Sequence, residues 1–249
     1  SIWLATVVVS GISYLSYLLK RYVFHESGTL VSGIIGGLYS STATISVLAR
    51  KSRKASEQEA TDYVAAMLLA VSMMFLRFMI LILIFSREIF LSIYPYLLTM
   101  AVVAAIVAWF IHSRQKRPED QPAETEEDDS SNPLEFKVAL IFAVLFVIFT
   151  FLTHYTLVYA GTGGLNLLSF VSGFSDITPF ILNLLQNTGS VAALIITACS
   201  MQAIISNIMV NMFYALFFAG KGSKLRPWIL GGFGVVITCN LVLLLFFYI

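Results

Sequence analysis

Apolar positions along this chain come in runs too long and too uniform for an amphipathic surface helix, separated by short polar stretches. About 20 such residues, wound as a helix, cross a hydrocarbon core of roughly 30 Å. Runs of that kind cover residues 2–19, 63–85, 89–111, 136–159, 190–218 and 229–249, and each is predicted to be a membrane span. Two further apolar segments, 28–48 and 161–185, are interrupted. The first reads GTLVSGIIGGLYSSTATISVL and the second contains GLNLLSFVSGFSDITPFILNLL, so glycine, hydroxyl and acidic residues sit where a simple span would be greasy.

The order is span, interrupted segment, span, span, given twice. Aligning Gly37 with Gly173 sets Leu38 on Phe174, Ser40 on Asp176 and Thr42 on Thr178. Between the halves lies RQKRPEDQPAETEEDDSSNP, whose Pro, Ser and acidic content has no apolar face to bury; it is expected to be a flexible, disordered linker. The expected organisation is a first membrane repeat over 1–112, an acidic linker over 113–134 and a second membrane repeat over 135–249.

Charge decides how the interrupted segments run, because Lys and Arg concentrate on the cytoplasmic side. If all eight segments cross, Arg50, Lys51, Arg53, Lys54, Arg114, Lys116, Arg117 and Lys137 share one face, and Lys20, Arg21, Arg87, Lys221, Lys224 and Arg226 share the other. That is no asymmetry. If both interrupted segments instead return to the face they came from, Arg87 is left alone opposite all the others, with Arg77 inside a span. The expected fold is therefore an all-α membrane protein: six full spans and two re-entrant hairpins, an inverted repeat of three transmembrane helices plus one hairpin per half. Both termini of this segment then lie outside.

Composition agrees. Hydrophobic residues make up 58% of the chain and charged ones 12%, which excludes an ordinary soluble domain. Cys199 and Cys239 fall inside apolar stretches and read as small packing residues. The start lacks the basic region and cleavage site of a signal peptide. It begins at Ser1 rather than Met, so sequence upstream is expected.

Broken helices at the midplane, one from each inverted half, are how many transporters form a substrate site. Gly36, Gly37 and Gly173 permit tight turns; Ser40, Ser41, Thr42 and Asp176 can cap the half-helices that follow, and Pro179 fits a first turn. Thr44, Ser175 and Thr178 add hydroxyls to the same two centres. Asp176 is the acid placed away from loops and span ends, and Arg77 is its basic counterpart within a span. Each is costly at such depth, by about 2.5–3.5 kcal/mol on insertion scales, and needs a partner or a pathway. For Asp176 the readings are an ion-binding group or a helix cap; for Arg77, a clamp on hairpin carbonyls, an ion pair with Asp176, or an anion or gating role. Asn207 and Asn211, one turn apart, share a helix face and either tie helices together or line a pore.

Catalytic patterns are missing: no HExxH, no Cys–His constellation, no phosphate-binding glycine loop with Lys, and one buried acid where an intramembrane aspartyl protease needs two. The expectation is a non-enzyme without cofactor, with no metal assigned. Basic clusters flank membrane segments, which excludes nucleic-acid binding.

At GGLYSSTATISVLARKSR, residues 36–53, the sequence resembles a prokaryotic membrane domain of unknown function commonly found C-terminal to an MgtC/SapB domain. VVVSGISYLSYL from Val7, MFLRFMILI around Arg77, NPLEFKVAL from Asn132 and SGFSDITPF from Ser172 carry the resemblance over nearly the whole chain. It implies a prokaryotic inner-membrane location and an MgtC-like segment before Ser1. This chain departs from it at Thr178, where the family often has a second acid, and at Asn211, where it often has Lys. The expected function is a transporter or channel for a small ion or polar solute, a cation favoured, in a lipid bilayer, with a homo-oligomer left open. A non-transporting regulatory or scaffold protein is the alternative.

Overall fold

A computed structural model describes residues 28–53, 55, 57–114, 136–186, 191–220 and 223–248, with isolated helical positions between 7 and 18. The expected first span over 2–19 and the acidic linker fall largely or wholly outside the described residues. Among the described residues all regular structure is α-helical: α1 Thr29–Lys51, α2 Glu57–Phe85, α3 Arg87–Ser113, α4 Phe136–Ser172, α5 Ile177–Gln186, α6 Ala193–Ala219 and α7 Arg226–Tyr248. Among the described residues six helical stretches are long and apolar enough to cross a membrane: Thr29–Lys51, Thr61–Phe85, Arg87–Ser113, Val144–Gly161, Ala193–Ala219 and Arg226–Phe246. The protein is thus a multi-pass membrane protein by length and composition of its helices.

Two of these helices are broken. In α1, Ser40 leaves the helical region at φ −158°, ψ 109°. In α4, Gly161 does so at φ 59°, ψ −149°, a backbone conformation that effectively needs glycine. Pro95 sits inside α3, and the Thr99 hydroxyl bonds its carbonyl at 2.7 Å.

Helices in lipid gain little from hiding apolar surface from one another, so close backbone approach and polar ties determine their packing. Both are present. A Cβ on Gly33 would lie 2.3 Å from the Ala66 carbonyl oxygen, and one on Gly37 would lie 2.5 Å from the Ala70 Cα, so the first arm of α1 lies directly on α2 and runs the same way. Asp62 and the His112 ring meet at 2.7 Å, joining the start of α2 to the end of α3. The Tyr96 hydroxyl bonds the Asn240 side chain, tying α3 to α7. Arg53 donates to the carbonyls of Phe217 and Phe218, and Arg50 lies 4.3 Å above the Phe218 ring. The end of α6 is therefore capped by arginines just before α2 begins, which makes α2 and α6 antiparallel. α6 is the most enclosed of the candidate spans and packs against α1, α4 and α7.

Candidate functional site

The first break exposes a carbonyl and supplies a cap. Ser40 interrupts the ladder of α1, and its hydroxyl accepts the Ala43 N–H at 3.3 Å, starting the second arm. A Cβ on Gly36 would lie 2.4 Å from the Thr44 hydroxyl oxygen. Eight positions along an unbroken helix span about 12 Å, so the two arms of α1 lie against each other around Ser40.

The second break at the centre is the turn between α4 and α5, not the Gly161 kink, and it is closed differently. After α4 the chain turns through Gly173, Phe174, Ser175 and Asp176 before α5. The Gly173, Phe174 and Ser175 N–H groups bond the carbonyls of Phe170, Val171 and Ser172 at 3.3, 3.1 and 3.0 Å. From α6, the Ser206 hydroxyl also reaches the Phe170 carbonyl at 2.6 Å, and the Asn207 side-chain N–H donates to the Gly173 carbonyl at 3.2 Å. The carbonyl end of this arm is saturated by protein donors. On the far side of the turn, Asp176 accepts the Thr178 N–H at 2.9 Å, and Pro179 lacks an N–H to satisfy. Gly173 is required here: a Cβ would stand 2.3 Å from the Ser206 side chain and 2.8 Å from the Asn207 backbone nitrogen.

Arg77 connects the two breaks. Rising from α2 with 9% of its surface exposed, its guanidinium donates to the Tyr39 carbonyl at 2.7 Å and to the Thr178 hydroxyl at 3.0 Å. A buried guanidinium needs acceptors on its fixed fork of donors. Here one comes from the last residue before the Ser40 break and the other from the first turn after the Asp176 break. Asp176 acts electrostatically on Arg77, and the two meet through Thr178, which bonds both.

The predicted residues therefore divide. Gly36 and Thr44 meet across the first break; Gly173, Asn207 and Asn211 form a chain at the second, with the Asn211 side-chain N–H donating to Asn207 Oδ1 at 3.2 Å. Arg77 joins Thr178 to Tyr39. Ser40 and Asp176 are both caps. Ser175 turns back onto the Ser172 carbonyl at 3.1 Å, and the Thr42 carbonyl takes the Ser46 hydroxyl at 2.8 Å, so their roles are local. Ser41 is buried beside the break. One participant carries no sequence signal of its own, the Tyr39 carbonyl, a backbone group; Ser206 lies near the face of Asn207 and Asn211, and its bond to the Phe170 carbonyl is what the sequence does not show. Among the described residues no group of three or more His, Cys, Asp or Glu could hold a metal ion. Asp176, Ser175 and Phe174 are exposed, whereas all of α5 from Ile177 to Leu185 is buried.

Together these features define a polytopic helical membrane protein with a polar centre built from the break in α1 and the turn between α4 and α5. The chain belongs to the family described as "Domain of unknown function (DUF4010)", which matches residues 7–219. It is similar to an uncharacterized protein of Aquifex aeolicus (strain VF5), 24% identical over 227 residues that cover 89% of this chain and 96% of that one. No solved structure matches it.

Proposed function

We propose that this protein is an inner-membrane transporter or channel for a small ion or polar solute, and that its two halves are inverted repeats of three spans and one re-entrant hairpin each. The observation that carries this reading is the pair of hydrogen bonds by which Arg77 reaches both breaks. Irregular backbone at membrane depth is tolerated where protein or a water-filled cavity satisfies it, and two such places held together by one buried cation form a common centre.

Further geometry supports the repeat. Gly37 packs on Ala70 and Gly173 on Ser206; the sequence distance from Gly37 to Gly173 equals that from Ala70 to Ser206, and equals that from cap Ser40 to cap Asp176. The same register thus recurs in contacts as well as in order. Chain reach supports a return of α1 to its own face. Its first arm climbs α2 from Ala66 to Ala70. Continuing straight to Lys51 would carry the chain about 40 Å from the start of α2 at 1.5 Å per residue, while the six steps from Lys51 to Glu57 reach at most about 23 Å. A fold-back of the two arms at Ser40 meets that limit.

The depth is central. Gly173 touches Ser206, the middle residue of α6 (Ala193–Ala219). An exposed carboxylate at that level faces an aqueous pathway more cheaply than lipid, and Asp176 is exposed there. Asp176 and the surrounding oxygens favour a cation. The test is flux: purified protein in proteoliposomes should pass one or more small ions or polar solutes, and Asp176→Asn should reduce the rate. A folded, correctly inserted protein that passes nothing would overturn transport and leave the regulatory or scaffold role.

A further inference from the structure

We infer that the Asn211 side-chain oxygen is a coordination point for a small monovalent cation, wired through Asn207 to the Gly173 turn. The inference deepens the transport reading by placing a specific ligand atom, and it stands on binding rather than flux. Asn207 donates its amide N–H to the Gly173 carbonyl, which can only accept, so the orientation of that amide is fixed. Its Oδ1 then faces Asn211 and takes the Asn211 amide N–H. That fixes Asn211 in turn. Its own Oδ1 is left as an acceptor, with no donor among the described residues, on a residue that is 0% exposed.

Such an atom is built to receive positive charge or a donor proton. The side chain of a helical residue leans toward the N-terminal turn, which here places the Asn211 amide toward Asn207 and the central level of α6. The chain also has polarity. A cation on Asn211 Oδ1 withdraws electron density from that amide, strengthens its N–H as a donor to Asn207, and so strengthens the bond to the Gly173 carbonyl. Occupancy is thereby transmitted to the turn that carries Asp176. An anion gains no such reinforcement, because in both amides an N–H points along the chain. A neutral amide oxygen, with no cluster of carboxylates among the described residues, suits a singly charged ion rather than a divalent or transition metal.

The experiment is thermal unfolding of the purified protein in lipid nanodiscs, with lithium, sodium or potassium chloride replacing N-methylglucamine chloride at constant ionic strength. One or more of the small cations should raise the midpoint saturably. Asn211→Leu should abolish the shift, and Asn211→Asp should lower the half-saturating concentration about tenfold. No shift with any cation would overturn the inference and assign Oδ1 an ordered water only. An undiminished shift in folded Asn211→Leu would overturn it as well; if that variant does not fold, an unchanged half-saturation in Asn211→Asp does so. Cation binding without flux would leave this site standing and remove the transport reading, whereas flux with no cation-dependent shift would do the reverse.

Discussion

Arg77 is the residue on which the two halves depend together. Replacing it with Met keeps much of the stem's volume and leaves the Tyr39 carbonyl and the Thr178 hydroxyl without its donors. An unsatisfied buried group costs about 1–3 kcal/mol, so Arg77→Met should lower stability by a few kcal/mol in reversible detergent unfolding. Thr178→Val removes one of the two bonds and should cost about 1 kcal/mol. In the double mutant the losses should fall short of additive by about 0.5 kcal/mol or more, because residues in direct contact couple; strict additivity would mean that the bond is not formed. Asp176 behaves differently. Asn caps helices nearly as well as Asp, so Asp176→Asn should change stability by less than about 0.5 kcal/mol while removing the charge from the proposed pathway. A large stability loss in that variant would make Asp176 a structural charge. The sequence showed that these two charges were costly and needed partners. It did not show that they meet through Thr178, because a side chain between them is invisible without the turn that presents it.

At the scale of elements, glycine determines how closely the broken helices approach their neighbours. Gly37 lies on the backbone of α2 and Gly173 on Ser206 and Asn207 of α6, where an added methyl group meets backbone atoms that cannot swing aside. Overpacking of this kind costs about 1–3 kcal/mol. Gly37→Ala and Gly173→Ala should each lower the unfolding midpoint and the folded yield measured by size-exclusion chromatography. Gly231→Ala is the control: nothing lies within 4 Å of a Cβ there, and the residue is exposed on α7. It should be neutral or slightly stabilising, since alanine exceeds glycine by about 1 kcal/mol in helix propensity; equal losses in all three variants would show that glycine is needed for flexibility, not proximity. Both breaks were legible as glycine and hydroxyl or acidic residues amid apolar runs. What each break packs against was not, because Ala66 and Ala70 are ordinary small residues in an apolar helix, and even Ser206, beside the face of Asn207 and Asn211, shows its contact with Gly173 only when that backbone arrives beside it.

At the scale of the whole molecule, the distribution of basic residues and the contacts both support the proposed return of α1. Charge counting favours returning segments because Arg87 then stands apart from the basic residues of the other face. The packing of Gly33 and Gly37 along α2, and the arginine cap that Arg53 places on the end of α6, bring both ends of α1 toward the start of α2. Five of the expected spans were legible from apolar length; the sixth candidate among the described residues is Thr29–Lys51, the segment expected to return, while the expected span over 2–19 lies largely outside the described residues. Accessibility of its two ends decides between them. In a background with Cys199 and Cys239 replaced by Ala, single cysteines at Gly28, Ala55, Arg87, Tyr159 and Ser223 can be probed with a membrane-impermeant maleimide in intact cells. Arg87→Cys and Tyr159→Cys should label from outside, while Gly28→Cys, Ala55→Cys and Ser223→Cys should label only after the membrane is opened. The pair at Gly28 and Ala55 carries the decision, because a crossing α1 must place them on opposite faces and a returning α1 on the same one. Labelling of either from outside while the other stays protected would make α1 a true span, break the inverted symmetry of the two halves, and remove one of the two midplane turns from the proposed pathway.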